Sequence, residues 1–437
     1  MLIAIIAAAV IVAQSPSAPS ASSPAIDKAA AAIEQEMLEW RRHLHQNPEL
    51  SNREVETAKF VAGKLRAFGL EPRENIARHG VVALLKGGRP GGVVALRADM
   101  DGLPVTEETG LPFASRAKSE YEGRPVGVMH ACGHDTHVAM LLGVAKVLSG
   151  MRAELPGSVK FIFQPAEENV PREERPAGAG AMVAAGVLKD PAVDAIFGVH
   201  VYANMPTGQI SWISGPMMAA ADSYEIIVRG RQTHGATPWA GVDPVVIGSQ
   251  IVLALQTIVS RQVDITAQPA IVTVGQFEAG VRNNIIPDSA RLVGTIRTFD
   301  DAMQNDIHER IRRTATQIAA AGGATAEVRI DRGYPVTVNN PELTKRMLPT
   351  LRRVAGDKVV EGRKITGAED FSFFQQQVPG LFLLLGITPP ADVGKAGQNH
   401  SPKFFVDESA LITGVRTLAH LAVDYLNTRG GSAAGAK

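Results

Sequence analysis

The sequence predicts an α/β protein in which a domain with a mostly parallel sheet carries a smaller, inserted α+β domain. In the first half of the chain, and again near its end, short apolar strands alternate with helical patterns, as in parallel sheets covered by helices. Between about residues 216 and 332 the order becomes strand, helix, strand, strand, helix, strand, which is the ferredoxin-like pattern. The length of 437 residues accommodates two or three domains.

The elements of the larger domain are predicted from apolar spacing and turn residues. Helical spacing covers Ile26–Gln46 and then Thr57–Phe68, which stops at Gly69, a residue typical of helix C-termini. The further elements are strands at Val81–Leu85, Val93–Leu96, Ser158–Phe163, Ala195–Val201 and Leu381–Leu385 and helices at His137–Leu148, Gly180–Leu188, Pro341–Val354 and Asp407–Leu426. Because such sheets bind ligands at the carboxyl ends of their strands, we expect the functional site there.

The inserted domain is predicted from six consecutive elements. They are the strand Ser223–Arg229, the helix Pro244–Arg261, the strands Ala270–Phe277 and Ala290–Arg297, the helix Asp300–Ala320 and the strand Ala324–Ile330. The predicted organisation is therefore a leader and linker at 1–24, a catalytic domain at 25–215 and 333–428, an inserted domain at 216–332, and a flexible tail at 429–437.

The N-terminus resembles an export signal. Met1–Ala13 is almost wholly apolar and a Ser/Pro/Ala-rich stretch follows to Pro24, which suits the apolar region of a signal peptide and is too short to span a bilayer. A positively charged start is missing, so a wrongly assigned start or an uncleaved anchor stays open. We expect the protein to be exported to the periplasm or secreted. If the stretch is not a signal peptide, we expect the protein in the cytoplasm. No later segment approaches about 18 uninterrupted apolar residues, so we expect no other membrane insertion.

Charge and cysteine content exclude several classes of protein. The 44 Lys and Arg residues balance 44 Asp and Glu residues, which argues against a nucleic-acid binder with its usual basic surplus. Cys132 is the only cysteine, so an intrachain disulfide and any C-x-x-C pair are excluded. Taken alone, Cys132 is best interpreted as a small buried hydrophobic residue.

Three features carry side chains suited to chemistry. His130–His137 holds Cys132 and His134 in a C-x-H step, which favours a metal site over a buried cysteine among scattered surface histidines. Glu167 and Glu168 follow an apolar strand, where one carboxylate can bind metal while the other handles protons; two solvated loop acids are the alternative. His200 ends an apolar strand, and His400 lies in Asn399–Pro402; each alone is more often a structural residue.

Taken together, these side chains predict a dinuclear hydrolase. Cys132, His134, Glu168, His200 and His400 supply enough ligands for two ions that would activate a water molecule. The sequence lacks the H-E-x-x-H motif of single-zinc proteases, the G-x-S-x-G motif of serine hydrolases and the phosphate-binding glycine motifs. The zinc deaminase signature needs a P-C-x-x-C step, which one cysteine cannot provide.

Six motifs in order resemble the peptidase-related amidohydrolases, a family that includes hippurate hydrolase, N-acyl-amino-acid amidohydrolases and indole-acetyl-amino-acid hydrolases. The resemblance covers about residues 30–428, and its motifs are Arg41–Ser51, Arg97–Pro104, Met129–His137, Gln164–Glu168, Gly367–Phe371 and Asn399–Pro402. It implies a zinc-peptidase-like catalytic domain, and an inserted domain that acts as a lid and as a dimerisation element in a homodimer or homotetramer.

The resemblance also implies roles for individual residues. The metal ligands fall on Cys132, His134, Glu168, His200 and His400, the general base on Glu167, and an oxyanion-binding lid histidine, which in relatives often reaches across a dimer, on His234. Asn284 matches a lid asparagine near the substrate carboxylate, Arg297 is a candidate partner of that carboxylate, and Asp101 and Asp135 are candidates for orienting imidazoles. We interpret His43 and His45 as structural, and His130 and His137 as flanking the site.

The predicted activity is the hydrolysis of the amide of an N-acyl amino acid, giving an acid and a free amino acid. A dipeptidase or carboxypeptidase of the same superfamily is the alternative, and a noncatalytic exported binding protein is a third hypothesis. Zinc, manganese, nickel and cobalt all suit the ligand set. We expect Cys132 to be a thiolate, because bound cations favour its charged form. Residues 169–177 replace a short Gly-rich link found in many relatives, so this segment is expected at the rim of the pocket.

Overall fold

The computed structural model describes residues 23–168 and 170–430. The predicted leader, up to residue 22, therefore lies outside the described residues, as does the tail from residue 431. The first helix begins at Ser23 and the last one ends at Gly430. Residues 23–24, predicted as linker, and residues 429–430, predicted as tail, are accordingly helical.

Most helices agree with the periodic stretches of the sequence, but the stretch predicted over Ile26–Gln46 is divided at Ile33, where a turn separates two helices. Within the described residues the helices are α1 (Ser23–Ala32), α2 (Glu34–Gln46), α3 (Val55–Ala67), α4 (His134–Gly150), α5 (Gly178–Ala184), α6 (Pro244–Thr257), α7 (Asp301–Ala321), α8 (Pro341–Ala355), α9 (Ser372–Gln375) and α10 (Leu411–Gly430). Side-chain caps explain several starts: Asp243 accepts a hydrogen bond from the Val245 amide before α6, and Asn340 accepts one from the Leu343 amide before α8.

One predicted helix is shorter than expected. Helix α5 ends at Ala184, whereas the sequence pattern predicted a helix to Leu188. Gly186 has a φ of 78°, a left-handed conformation that an α-helix does not continue through. The Val187 amide instead donates to the carbonyl of Met182, and turns follow.

In the described part of the chain, the strands form one large sheet, a second smaller sheet and three two-stranded ribbons. In chain order they are β1 (Arg73–Ile76), β2 (Gly80–Lys86), β3 (Arg89–Asp99), β4 (Lys118–Tyr121), β5 (Arg124–Gly127), β6 (Pro156–Gln164), β7 (Ala195–Pro206), β8 (Ile210–Trp212), β9 (Gly215–Met218), β10 (Ala220–Arg229), β11 (Thr233–His234), β12 (Ala270–Ala279), β13 (Ile285–Ile286), β14 (Ser289–Thr298), β15 (Thr325–Tyr334), β16 (Thr337–Asn339), β17 (Val359–Glu361) and β18 (Gly380–Thr388).

The large sheet has the order β1-β2-β6-β3-β7-β18-β8-β17. Its four central strands, β6, β3, β7 and β18, are mutually parallel. At one edge β2 pairs antiparallel with β6, and β1 pairs antiparallel with β2. On the other side β8 runs antiparallel to β18, and β17 runs parallel to β8. The prediction of an α/β fold with a mostly parallel sheet is therefore confirmed.

Both faces of the large sheet are buried, because its strands send alternate side chains into two cores. In β18, Leu381, Leu383 and Leu385 enter the core formed with α1, α2, α4, α8 and α10, whereas Phe382 and Leu384 enter the core on the opposite face, with α5 and α9. Burial on both faces is why these strands read as continuous apolar runs in the sequence. The carboxyl ends of the central strands lie together at one edge, where the site is built.

The second sheet belongs to residues 220–334, so its last strand extends two residues beyond the range 216–332 predicted for the inserted domain. Its strands are antiparallel in the order β12-β14-β10-β15, and α6 and α7 cover one face through a separate apolar core. Helix α6 continues as a π-helical turn, Ile258–Gln262, so the regular helix is shorter than the predicted Pro244–Arg261. The opposite face of this sheet turns towards the large domain near the strand ends at Ala221 and Tyr334.

One stretch of the described residues is long and apolar enough to cross a membrane by length and composition alone. It is Pro244–Gln262, which comprises α6 and the turn that follows. Ser249, Gln250 and Gln256 interrupt its apolar residues, and only 33% of the stretch is buried in the chain.

Candidate metal centre

Side chains from five parts of the chain converge at the carboxyl edge of the large sheet. Strand β3 ends at Asp99 and Asp101 follows it, β6 leads to Glu167 and Glu168, and β7 carries His200. Cys132 and His134 come from the start of α4, and His400 from the loop before α10. The structure thus brings together all five residues predicted as metal ligands.

The start of α4 depends on a glycine between the two ligand residues. Gly133 has a φ of 90°, and a Cβ atom at this position would lie 2.4 Å from a methyl group of Val201. Because a larger residue would both strain the backbone and clash, the step from Cys132 to His134 requires glycine. The close approach to β7 sets the thiol against His200, whose Nε2 lies 3.5 Å from Sγ.

The ligand atoms are spaced as one coordination shell would require. Cys132, His134 and Glu168 offer atoms that all lie within 4.8 Å of one another. Glu168 Oε1 is 3.1 Å from His400 Nε2 and 3.8 Å from His134 Nε2. Ligands that bind one ion at about 2.0–2.3 Å stand apart by distances of this size.

Hydrogen bonds leave the correct imidazole nitrogen free on two of the histidines. His200 Nδ1 lies 2.7 Å from the carbonyl of Val201, which can only accept, so the proton is on Nδ1 and the Nε2 lone pair is available. His134 Nδ1 lies 3.1 Å from Asp101, and its buried Nε2 has no hydrogen-bond partner among the described residues. An orphaned buried nitrogen facing a carboxylate and a thiol fits a cation.

The pKa values of these groups also favour a bound cation. Burial and the carboxylates of Glu168 and Glu167 raise the pKa of the Cys132 thiol well above its usual value. Burial opposes the charged form of His134, but Asp99 and Asp101 outweigh it and raise the pKa of this imidazole to about 10. Protein groups alone therefore keep the thiol protonated, and the predicted thiolate needs positive charge supplied by metal.

Glu167 is held in a strained turn beside the ligands. Ala166, just before it, has a φ of 53°, and the Tyr334 hydroxyl donates to the Glu167 carbonyl at 2.5 Å. The Glu167 carboxylate lies within 4.8 Å of Glu369 and Asp370. Burial, followed by the charges of Glu369 and Glu168, raises the pKa of Glu167 well above its usual value, which suits a general base near neutral pH.

Behind the ligands lies a buried charge network that our sequence prediction missed. Arg97, which is only 2% exposed, contacts Asp99, Glu369 and Asp370 at 2.8–2.9 Å. Gln164 joins it by accepting from Arg97 and donating to Asp370. The sequence did contain a signal for this network. Arg97 and Asp99 are two residues apart in β3 and so lie on the same face of the strand, and Glu369 and Asp370 occur in a motif of the family.

The two aspartates predicted to orient imidazoles have different partners. Asp101 accepts from His134 Nδ1 and from the Glu168 amide, at 3.1 and 2.9 Å, so it contacts two predicted ligand residues. Asp135 instead lies 2.9 Å from His45 Nδ1 and 2.8 Å from Arg41 Nε. Asp135 therefore orients an imidazole outside the ligand set.

Two further histidines, His137 and His130, lie near the site and differ in the hydrogen bonds of their ring nitrogens. His137 Nδ1 donates to Asp99, and its Nε2 accepts from the Val201 amide at 2.8 Å, so neither nitrogen is available. His130 is buried, with both ring nitrogens lacking hydrogen-bond partners among the described residues. The His137 ring nevertheless packs against two predicted ligands, with its centroid 5.4 Å from that of His134 and 4.6 Å from that of His200.

The predicted substrate residues fall into two groups. His234 and Asn284 lie together on the two-stranded β11-β13 ribbon, where the Gly235 amide donates to the Asn284 carbonyl and the His234 side chain is exposed. Within the described part of the chain, neither residue contacts the metal ligands. Arg297 lies at the other end of the second sheet and lines a cavity of about 830 Å³ between the two domains.

This cavity combines an apolar lining with cationic side chains. Ala166, Tyr334 and Phe373 contribute to its walls, and Arg297 and Arg175 also line it. The Arg297 guanidinium donates to the Ile296 carbonyl at 3.1 Å and forms no ion pair within the described residues. Burial lowers the pKa of Arg297, a cost that an anionic ligand would offset.

The segment 170–177 lines part of the same cavity. Of residues 169–177, the structure places Val170, Arg175, Pro176 and Ala177 at its wall. Glu174 ties the segment to the large domain through Arg53 at 2.6 Å, and Arg172 reaches Asp331 on β15 at 3.3 Å. The segment thus contacts both domains beside the turn Ala166–Glu168. It lies at the rim of the cavity, as we predicted from the sequence.

Comparisons with known proteins identify the family. The model for peptidase family M20/M25/M40 matches residues 95–424, so the chain belongs to this family. It is 41% identical over 397 residues to thermostable carboxypeptidase 2 of Saccharolobus solfataricus, covering 90% of this chain and 96% of that one. It is 42% identical over 310 residues to an N-acyl-L-amino acid amidohydrolase of Geobacillus stearothermophilus, covering 71% and 80%.

A solved structure supports the same conclusion. A Bacillus subtilis protein, described as a dinuclear metal binding peptidase from the M20 family, superposes with a TM-score of 0.76 at 36% identity, over 91% of this chain and 99% of that one. The resemblance stated from the sequence motifs, and the prediction of a metal-dependent amidohydrolase, are confirmed at the level of the family.

Proposed function

We propose that this protein is a dinuclear metal-dependent amidohydrolase that cleaves N-acyl amino acids to a carboxylic acid and a free amino acid. One observation carries the proposal: five ligand-type side chains come together at the carboxyl edge of the large sheet, beside the buried residue Glu167. Cys132, His134, Glu168, His200 and His400 are the proposed ligands, with zinc, manganese, nickel or cobalt as the candidate metals.

In the proposed reaction, Glu167 takes a proton from the attacking water and later passes it to the leaving amine. Two divalent ions held by the ligands would polarise the scissile carbonyl and stabilise the negative charge on its oxygen. The raised pKa of Glu167 lets it hold the proton between the two steps. Asp101 fixes the tautomer of His134, and Arg97 holds Glu369 and Asp370 in place beside Glu167.

The proposed substrate carries a carboxylate next to the scissile amide. Arg297, half-buried and without an ion pair in the described part of the chain, would bind it, and the apolar walls of the cavity would take the side chain. Such a cavity, at about 830 Å³, is within the range of small-molecule sites. No nucleic-acid surface is proposed, because the chain has no basic surplus.

We propose that the second sheet and its helices form a lid that also pairs two copies of the chain. Leu253 on α6 is 70% exposed and Val281 is 98% exposed, so both offer apolar surface that a second copy would cover. Strand β12 is an edge of its sheet and can pair with the β12 of a second copy. In a homodimer or homotetramer of this kind, His234 and Asn284 of one subunit would complete the site of the other.

A carboxypeptidase is the second candidate, because a close relative carries that name. Enzyme reconstituted with each candidate metal should be assayed on N-acyl amino acids and on unblocked dipeptides. Cleavage of the former with Glu167→Gln slower by about 100- to 10,000-fold, at unchanged metal content, is the expected result. A Glu167→Gln variant as active as wild type would refute the mechanism, and a preference for unblocked peptides would favour the carboxypeptidase.

Export is a separate proposal that rests on the apolar stretch Met1–Ala13. Expression in a bacterial host, followed by fractionation and intact mass measurement, should find the mature protein outside the cytoplasm and shortened by the leader. Full-length protein confined to the cytoplasm would refute it.

A further inference from the structure

The loop that joins α2 to α3 is hydrogen-bonded to the turn Ala166–Glu168, here called the catalytic turn. Residues Ser51 to Glu54, here called the 51–54 loop, lie more than a hundred residues before Glu167 in the chain. The Ser51 hydroxyl donates to Asp101 at 2.6 Å, and the Asn52 amide group donates to Glu174 at 2.9 Å. A further contact of the 51–54 loop is made by Glu54, with the turn that carries Glu167.

Glu54 is fully buried and accepts a hydrogen bond from the Ala166 backbone amide at 2.7 Å. Ala166 has a φ of 53°, in the left-handed region that an alanine adopts at a cost. A conformation of this kind persists only when its surroundings hold it. The bond from Glu54 is a contact of this kind, immediately before the proposed general base.

The other side of the turn is held through the same loop. Asp101, which accepts from Ser51, also accepts from the backbone amide of Glu168 at 2.9 Å. The residues before and after Glu167 are therefore both fixed by hydrogen bonds that lead to the 51–54 loop. This arrangement leaves the Glu167 backbone little freedom to move relative to His134, which Asp101 also contacts.

We propose that Glu54 is a positioning residue for the amide hydrolysis: its bond to the Ala166 amide sets the place of the Glu167 carboxylate. This inference rests on the proposed role of Glu167. A buried carboxyl whose second oxygen has no hydrogen-bond partner in the described residues is a costly group to keep for packing alone. Its retention is explained if the first oxygen is needed where it is.

The chemistry of Glu54 makes glutamine a matched substitute. Burial, with a contribution from the Asp101 charge, raises the pKa of Glu54 to about 8, so the carboxyl is mostly neutral at pH 7. The side-chain oxygen of glutamine can accept the Ala166 bond with the same length and without charge. Methionine has a similar shape and no comparable acceptor.

The experiment compares Glu54→Gln, Glu54→Met and Glu54→Asp in the full-length, metal-loaded enzyme. We expect kcat within threefold of wild type for Glu54→Gln, about 100-fold lower for Glu54→Met and intermediate for Glu54→Asp, with KM and metal content little changed. Lys160→Met is the control, because Lys160 is also buried and bonded to backbone carbonyls, at Val187 and Pro191, away from the turn. It should lower the melting temperature and leave kcat unchanged.

The outcomes separate this inference from the proposed function. A Glu54→Met enzyme with kcat within threefold of wild type would overturn the positioning role, as would a Glu54→Gln enzyme as slow as Glu54→Met. If Glu54→Met does not fold, an unchanged kcat for Glu54→Asp overturns the role equally. A fully active Glu167→Gln enzyme would instead refute the proposed function, whereas an inactive one beside a fully active Glu54→Met refutes only the inference.

Discussion

Replacing Asp101 by asparagine tests whether the hydrogen bonds behind the ligands hold the metal centre. Its carboxylate makes three bonds: one oxygen accepts from His134 Nδ1, and the other accepts from the Ser51 hydroxyl and the Glu168 amide. Asparagine has one acceptor oxygen and one donor group. Whichever way it turns, either His134 or the Glu168 amide faces an N–H donor instead of an acceptor.

The size of the effect follows from that lost bond. Loss of a partner that orients a ligand weakens metal binding by about 10- to 100-fold, which is about 1.4–2.7 kcal/mol. Leaving the buried Glu168 amide without an acceptor costs about 1–3 kcal/mol, which is of the same order as the loss of the bond to His134. The two orientations of the asparagine should therefore give similar results. We therefore expect Asp101→Asn to bind metal about 10- to 100-fold more weakly than wild type.

Metal titration by competition with a chelator measures this directly, with the melting temperature recorded for each variant. Asp135→Asn is the matched control, because Asp135 is equally buried, follows His134 in the chain, and bonds to His45 and Arg41 instead. Asp135→Asn should lose stability and keep its metal affinity. Equal metal affinity in Asp101→Asn and wild type, or an equal loss in both variants, would refute the reasoning.

Four further predictions follow from the same geometry. Without metal, the raised pKa values of Cys132 and His134 keep both protonated at pH 7, so metal binding should release protons and tighten between pH 6 and pH 8; calorimetry in two buffers measures the release. Arg297→Leu should raise KM at least tenfold for N-acyl amino acids and have little effect on the corresponding amino-acid amides, as steady-state kinetics would detect. Leu253→Glu should convert the oligomer to monomers, which light scattering would detect, and lower kcat. Replacing residues 171–176 by two glycines should open the cavity wall and reduce the preference between small and bulky substrates, measured as a ratio of kcat/KM values.

The fold could be predicted from the sequence wherever local patterns decide it. Helices α3, α7 and α8 and the central strands of the large sheet agree with their apolar spacing and capping residues to within a few residues. The short strands β8, β9, β16 and β17 were not predicted, because segments of three or four residues carry no period. The end of α5 was missed because Gly186, inside an apolar run, adopts a left-handed conformation that spacing does not reveal.

The site was predictable to the extent that its residues lie in recognisable motifs. The five proposed ligands and Glu167 come together as the motifs implied, although they are spread over more than 260 residues. Glu54 was not found, because its role depends on a contact with Ala166 across 112 positions in the chain. The sequence also did not predict that Arg297 and His234 lie at opposite ends of the second sheet. Their separation depends on the direction of the strands in that sheet.

The charge around Cys132 explains why the ligand set and the metal belong together. The carboxylates near the site belong to Asp99, Asp101, Glu167, Glu168, Glu369 and Asp370, whereas Arg97 is the cation that contacts three of them. This excess of negative charge adds to burial in raising the pKa values of Cys132 and Glu167. Two divalent cations would reverse the first effect by favouring the thiolate. They would also lower the pKa of Glu167, which the same excess of negative charge raises, and so favour the carboxylate form that accepts a proton.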